Sequence, residues 1–137
     1  MSTVRFTPPR WPQCVQVIAT TRDGGVSEAP YESLNLAAHV GDDRAAVEEN
    51  RRRLLRELPD GCKPFWLTQV HGVDVVEATA AMEEAPRADA SWTRGAGLAC
   101  AVLTADCLPV LLTDDAGSVV AAAHAGWRGL ANGVVEA

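Results

Sequence analysis

Three short apolar stretches of this chain each run into a side chain that binds metals, and a fold can exploit that only by bringing distant segments together. FWLTQVHG leads to His71, LACAVLTADC to Cys107 and SVVAAAHAGW to His124. If these stretches are strands entering one sheet in the same sense, one thiolate and two imidazoles gather at its rim. Sulfur and nitrogen donors suit zinc, which keeps a position open for water or substrate when the protein supplies three ligands. His71, Cys107 and His124 are therefore candidate metal ligands and candidate catalytic residues of an enzyme.

The rest of the chain alternates between strand and helix signals. VQVIATT (15–21) is β-branched and ends at TRDGG, where Gly24 and Gly25 are expected to supply the positive φ of a tight turn. From Asp42 to Leu58, Val47, Leu54, Leu55 and Leu58 fall on one helical stripe, with Asp42 or Asp43 as cap and Pro59 beyond the end. The opposite face offers Glu48 to Arg52 and Glu49 to Arg53 and is expected to be solvated. PFWLTQV (64–70) and VDVVEA (73–78) are expected to be strands bent around His71, followed by a polar surface connection through Pro86 and RADASW. ACAVLT (99–104), PVLLTD (109–114) and VVAAAH (119–124) are further strands, the last two joined by a turn at Asp115-Ala116-Gly117. Continuous apolar runs suit strands covered on both faces, so the expected class is a layered α/β fold. AGWRGLANGVVEA offers a short closing helix, weakened by Gly133.

Bulk composition narrows the function. At 137 residues and 47% apolar, the chain has enough for one core, and a single domain over 1–137 is expected. With 18 acidic against 12 basic side chains, the formal charge is −6, which leaves no cationic surface for nucleic acid or anionic membrane. MSTVRFTPPRWPQ lacks the apolar core of a secretory signal, and the apolar run around 98–112 is broken by Thr104 and Asp106. A cytoplasmic location is expected. In reducing cytosol Cys14, Cys62, Cys100 and Cys107 are free thiols or ligands.

Spacing alone does not make a metal site. His71, Cys107 and His124 are far apart, with no H-x-x-x-H or C-x-x-C clip. A lone histidine beside an apolar run is most often structural, and a cysteine in LTADC most often a buried thiol. Gly72 and Gly126, each soon after a histidine, strengthen the reading because glycine lets a backbone turn sharply beside a ligand.

The strings TRDGGVSEAPYESLNLAAHVGDD, LTQVHGVDVV, AVLTADCLPVLLTD and AAAHAGWRGL closely resemble the YfiH/PgeF-type family, also labelled laccase-domain, polyphenol oxidase or purine nucleoside phosphorylase. The resemblance runs through nearly the whole chain. It implies a layered α/β/β/α sandwich with zinc held by the His of QVHG, the Cys of TADC and the His of HAGW, here His71, Cys107 and His124. It further implies phosphorolysis of adenosine, inosine or methylthioadenosine, deamination of adenosine, and correction of peptidoglycan precursors carrying a wrong amino acid. Family members continue about as far again beyond HAGWRG, so this chain is expected to be an incomplete N-terminal portion.

Around the trio, Gln69 shares a strand face with His71 and is a candidate substrate contact, with a hydrogen-bonding strand role as the alternative. Arg22 is a candidate anion binder or a surface ion-pair partner. Arg128, with the helix entry at Gly126 and Trp127, is a candidate phosphate holder. Asn35 and Asp106 suit capping and turn roles, and His39 a structural one. Trp11, Trp66, Trp92 and Trp127 are expected to cover the core. Asp89 in RADA is a candidate for orienting a ligand histidine. Three other functions compete. One Cys and two His also form a blue-copper set, although a multicopper oxidase needs more imidazoles than His39, His71 and His124 supply. Cys107 can serve a hydrolase as nucleophile with His124 or His71 as base. The third is a non-catalytic zinc-binding module.

Overall fold

Short β-branched segments open the chain in the computed structural model, which describes residues 3–82 and 84–137. Strand β1 (Thr3–Phe6) pairs antiparallel with β2 (Val17–Thr20), Phe6 opposite Val17. Helix α1 (Arg44–Leu55) follows, capped by Asp43, whose carboxylate accepts the Ala45 N–H at 3.0 Å. These elements lie in one compact unit, Met1–Gly61, and the remaining strands in a second, Cys62–Ala137.

Within the first unit, residues 21–43 contain no strand or helix, yet a polar residue of α1 holds them in place. Asn50 is fully buried; its Oδ1 accepts the Val26 N–H at 2.8 Å, and its Nδ2 donates to Ser27 Oγ and to the Ser33 and Asn35 carbonyls. The inward face of α1 is therefore Val47, Asn50 and Leu54, and Leu55 from the expected stripe is 46% exposed. The charged face is only partly solvated, because Arg51 donates to the Leu36 carbonyl at 2.9 Å and Arg53 to that of Gly24 at 2.8 Å. Glu49 pairs with Arg53 at 3.0 Å as expected, whereas Glu48 pairs with Arg44 and Arg52 with Glu49. Gly24 has the expected positive φ of 89°. Gly25 has none; its requirement is steric, since a Cβ there would stand 2.0 Å from the Ser33 carbonyl oxygen.

Asp42 closes this loop by accepting from Ser27 Oγ at 2.7 Å and Asn35 Nδ2 at 2.9 Å. The bond from Ser27, then that from Asn35, lowers its carboxyl below the ordinary 3.8. A folded value below the unfolded one contributes stability that is complete above the unfolded value and is lost as pH falls through the folded one. Asp42→Ala is thus expected to flatten the acid limb of the stability curve below about pH 4. Urea midpoints measured down that limb check it, and parallel wild-type and variant curves would refute it.

In the second unit the strands are β3 (Lys63–Phe65), β4 (Val75–Glu77), β5 (Ala90–Thr93), β6 (Leu98–Cys100), β7 (Leu108–Thr113) and β8 (Val120–Ala125), followed by helix α2 (Trp127–Asn132). A four-stranded sheet has the order β4-β5-β8-β7, with β4 parallel to β5 and the other neighbours antiparallel. β3 and β6 form a separate parallel pair. The expected turn before β8 is present, with Gly117 at φ 68° donating to the Asp114 carbonyl.

Two sequence expectations change here. RADASW, read as a connection, runs into the interior strand β5, whose Ala90, Ser91 and Thr93 are buried. Small residues give a weak strand signal, and they fit because the facing β8 residues Ala122 and Ala123 are equally small. The runs at 64–70 and 99–104 are strand only as far as Phe65 and Cys100. β7 is not covered on both faces, leaving Leu108 57% exposed.

Among the described residues of this unit, Phe65, Leu67, Ala78 and Ala88 form one buried apolar cluster and Ala90, Ala123, Ala125 and Val134 another. Gly133, at φ 92°, terminates α2 as a left-handed cap rather than weakening its interior. Trp127 is 75% exposed, against the expectation that it covers the core. The four cysteines are free. Among the described residues no helix is long and apolar enough to cross a membrane.

Candidate metal centre

His71, Cys107 and His124 converge, their ligand atoms all lying within 4.8 Å of one another. They do so by a route other than strands of one sheet. The parallel pairing of β3 with β6, Phe65 opposite Cys100, sends two arms off in the same sense, and their irregular continuations carry His71 and Cys107. His124 comes from β8, a strand of the four-stranded sheet. The imidazole rings of His71 and His124 stand edge to face, with centroids 4.8 Å apart and planes at 75°. Exposure is graded across the trio: His71 is exposed, Cys107 half-buried and His124 buried. The cluster is thus closed at His124 and open at His71, as a centre needs if it is to admit a further ligand.

The two neighbouring glycines act by closeness rather than by turning. Gly126 has φ −65°, and a Cβ on it would lie 2.7 Å from Cys107 Sγ and 3.9 Å from His71 Cδ2. A Cβ on Gly72 would lie 3.5 Å from Asp89 Oδ2. The sharp turn falls on the ligand itself, because His71 has φ 60°. For a residue with a Cβ this left-handed region costs about 1–3 kcal/mol and persists only where neighbours enforce it.

Asp89 is that neighbour. Its carboxylate is fully buried and accepts the N–H groups of Val70 (3.1 Å), His71 (2.9 Å) and Gly72 (2.7 Å). His124 Nδ1 donates to the same carboxylate at 2.9 Å, which assigns the Nδ1–H tautomer and leaves Nε2 as the donor atom for a metal. Burial opposes ionisation of Asp89, but the bonds from His124, Gly72, Val70 and His71 outweigh it and hold the carboxyl below its ordinary value. The Asp89 carbonyl also accepts the His124 N–H at 2.7 Å, so one residue fixes the backbone of His71 and both the backbone and ring of His124. Asp89 thus makes the contact with a candidate ligand histidine that its expected role requires.

The remaining candidates are placed as follows. Gln69 uses both ends of its amide on the backbone of Leu103, Nε2 donating to the carbonyl at 2.8 Å and Oε1 accepting the N–H at 2.7 Å. Arg128 is exposed, its guanidinium 5.0 Å from the centre of the Trp127 ring, at the start of a helix of six residues. Arg22 belongs to the Met1–Gly61 unit, where it donates twice to the Glu32 carbonyl, at 2.9 and 2.6 Å, and lies 3.7 Å from the Glu32 carboxylate. Asn35 has the expected turn role, accepting the Ala37 N–H and donating to Asp42. His39 and Asp106 are exposed. Burial raises the Cys100 thiol above its ordinary value. Sequence reasoning missed Leu103 and Asn50 because a backbone partner has no signature and a polar side chain in a helix is normally assigned outward.

These features define a mixed α/β protein with a His–Cys–His centre suited to a metal. The chain belongs to the family described as multi-copper polyphenol oxidoreductase laccase, which matches residues 16–137. It is 61% identical over 131 residues to the purine nucleoside phosphorylase PA4543 of Pseudomonas aeruginosa, covering 94% of this chain and 52% of that protein. It is 56% identical over 130 residues to the purine nucleoside phosphorylase YfiH of Escherichia coli, covering 93% and 54%. Among solved structures it is similar to the Neisseria meningitidis protein NMB0706, with a TM-score of 0.86 and 50% identity over 93% of this chain and 52% of that one. Bacillus licheniformis YfiH gives a TM-score of 0.77 at 31% identity, over 87% and 48%. The fold is of the YfiH type, and the chain spans about half the length of the relatives it matches.

Proposed function

We propose that this chain is the metal-bearing part of a zinc-dependent purine nucleoside phosphorylase. The observation that carries the proposal is the convergence of His71, Cys107 and His124 around a histidine whose tautomer Asp89 fixes. The names of relatives at 61% and 56% identity supply the substrate class. One thiolate and two imidazoles fit zinc by donor chemistry. Zinc held there would supply a Lewis acid that polarises a phosphate or substrate oxygen and acidifies water.

The chain's own residues have separable tasks. Asp89 keeps the Nδ1 proton on His124 and the turn at His71 in place. Exposed Arg128 offers a guanidinium to an incoming phosphate. In phosphorolysis a phosphate oxygen bonds to the anomeric carbon of the ribose while the bond to the purine nitrogen breaks. The base leaves with that electron pair and is protonated. Hydrolytic deamination of adenosine at the same centre belongs to this proposal, as does a cytoplasmic role in correcting peptidoglycan precursors.

Incubating the chain, and a version extended to the length of its relatives, with adenosine and phosphate is expected to release adenine and ribose 1-phosphate, with inosine reporting deamination. An extended, zinc-loaded protein that turns over neither adenosine nor inosine would refute the proposal. Stoichiometric copper with oxidase turnover would replace it with the alternative chemistry.

A further inference from the structure

We infer that Gln69 is a positioning residue that sets the spacing between His71 and Cys107, an inference that rests on the metal centre proposed above. The parallel ladder of β3 and β6 ends at Phe65 opposite Cys100, before either ligand is reached. Beyond that point the arm carrying His71 turns its backbone toward another segment. Thr68 donates to the Pro86 carbonyl at 2.9 Å and accepts from Ala88 at 3.3 Å, and Val70 donates to Asp89. Those bonds commit the His71 arm to the segment that orients His124.

The link from this arm to the one carrying Cys107 is made by the Gln69 side chain. Its amide meets the Leu103 backbone with one donor and one acceptor, at 2.8 and 2.7 Å. A primary amide offers what a neighbouring peptide group would offer, so Gln69 continues the interrupted ladder by one further rung. A carboxylate of the same shape accepts from the Leu103 N–H but sets a second acceptor against the Leu103 carbonyl. An alanine makes neither bond.

The need for such a rung follows from coordination. Zinc–sulfur and zinc–nitrogen distances of about 2.3 and 2.0–2.1 Å require the donor atoms to come nearly into contact. His71 is exposed and Cys107 only half-buried, so burial alone does not hold them there. Gln69 ties the thiolate arm to the arm that Asp89 already fixes.

Gln69→Glu and Gln69→Ala test this in the full chain, with cobalt(II) in place of zinc. Wild type is expected to show the near-ultraviolet sulfur-to-cobalt charge-transfer band. Both variants are expected to keep the wild-type far-ultraviolet circular dichroism, to bind cobalt about 10–100-fold more weakly, as for other partners that orient metal ligands, and to lose charge-transfer intensity per bound ion. Amide exchange at Leu103 in the metal-free protein is expected to speed up in Gln69→Ala. Folded variants with unchanged cobalt affinity and an unchanged band overturn the positioning role and leave the metal centre intact. Unfolding of both variants also overturns it, because the role assigned is confined to two arms of the site. A wild-type chain without the charge-transfer band removes the metal centre and the positioning role together.

Discussion

Cys107→Ala and His124→Ala are each expected to abolish zinc retention and nucleoside turnover, while His39→Ala leaves both unchanged. Each of the first two removes one of three donors whose ligand atoms lie within 4.8 Å. Cys107 supplies the cluster's one anionic ligand when deprotonated, and two neutral imidazoles do not replace its charge or its softness toward zinc. His124 is the buried donor whose ring is already oriented, so its loss removes the floor of the site and leaves Asp89 without its ring partner. Loss of a direct ligand should exceed the roughly 10–100-fold that loss of an outer partner costs. His39 is exposed in the other unit and serves as the control. Metal content after gel filtration in dilute chelator checks this, and normal zinc in either ligand variant would remove the centre as drawn.

How much of this was legible in the sequence depended on whether a residue acts through its type or through its neighbours. The three candidate ligands stood out because cysteine and histidine ending apolar runs advertise their chemistry, and their side chains do converge. α1 was found because its caps and its apolar positions Val47 and Leu54 repeat with helical period. β5 was missed because Ala90-Ser91-Trp92-Thr93 becomes a strand through the alanines of β8 that face it, a tertiary effect that local propensity does not register. The route to convergence was wrong for a related reason. Apolar runs after Phe65 and Cys100 look like strand, yet their backbones turn to other partners. Gly25 was noticed for the wrong property, because a chain read alone shows that glycine permits a turn and not that the Ser33 carbonyl leaves no room for a Cβ. For Gln69, strand alternation left a substrate contact and a hydrogen-bonding role both open, and both ends of its amide are engaged by Leu103.

Asp89→Asn is expected to impair the centre as severely as Asp89→Ala, although it keeps the shape of the side chain. Oδ1 accepts the His71 N–H and His124 Nδ1–H, and Oδ2 accepts the N–H groups of Val70 and Gly72. An asparagine must set its NH2 group against one of these two pairs of donors, and neither orientation satisfies both. If the NH2 faces His124, the ring relieves the clash by moving its proton to Nε2, the atom needed for the metal. If it faces Val70 and Gly72, the turn that holds His71 at φ 60° loses its acceptor and relaxes toward extended backbone, taking the ligand ring with it. Leaving buried N–H donors without an acceptor costs about 1–3 kcal/mol, and losing an orienting partner weakens metal binding about 10–100-fold. Chemical denaturation and zinc competition measure the two losses separately, and the nitrogen-15 shifts of His124 report the tautomer. Asp89→Asn with wild-type zinc affinity and His124 still protonated on Nδ1 would show that this carboxylate supports the fold without organising the metal site.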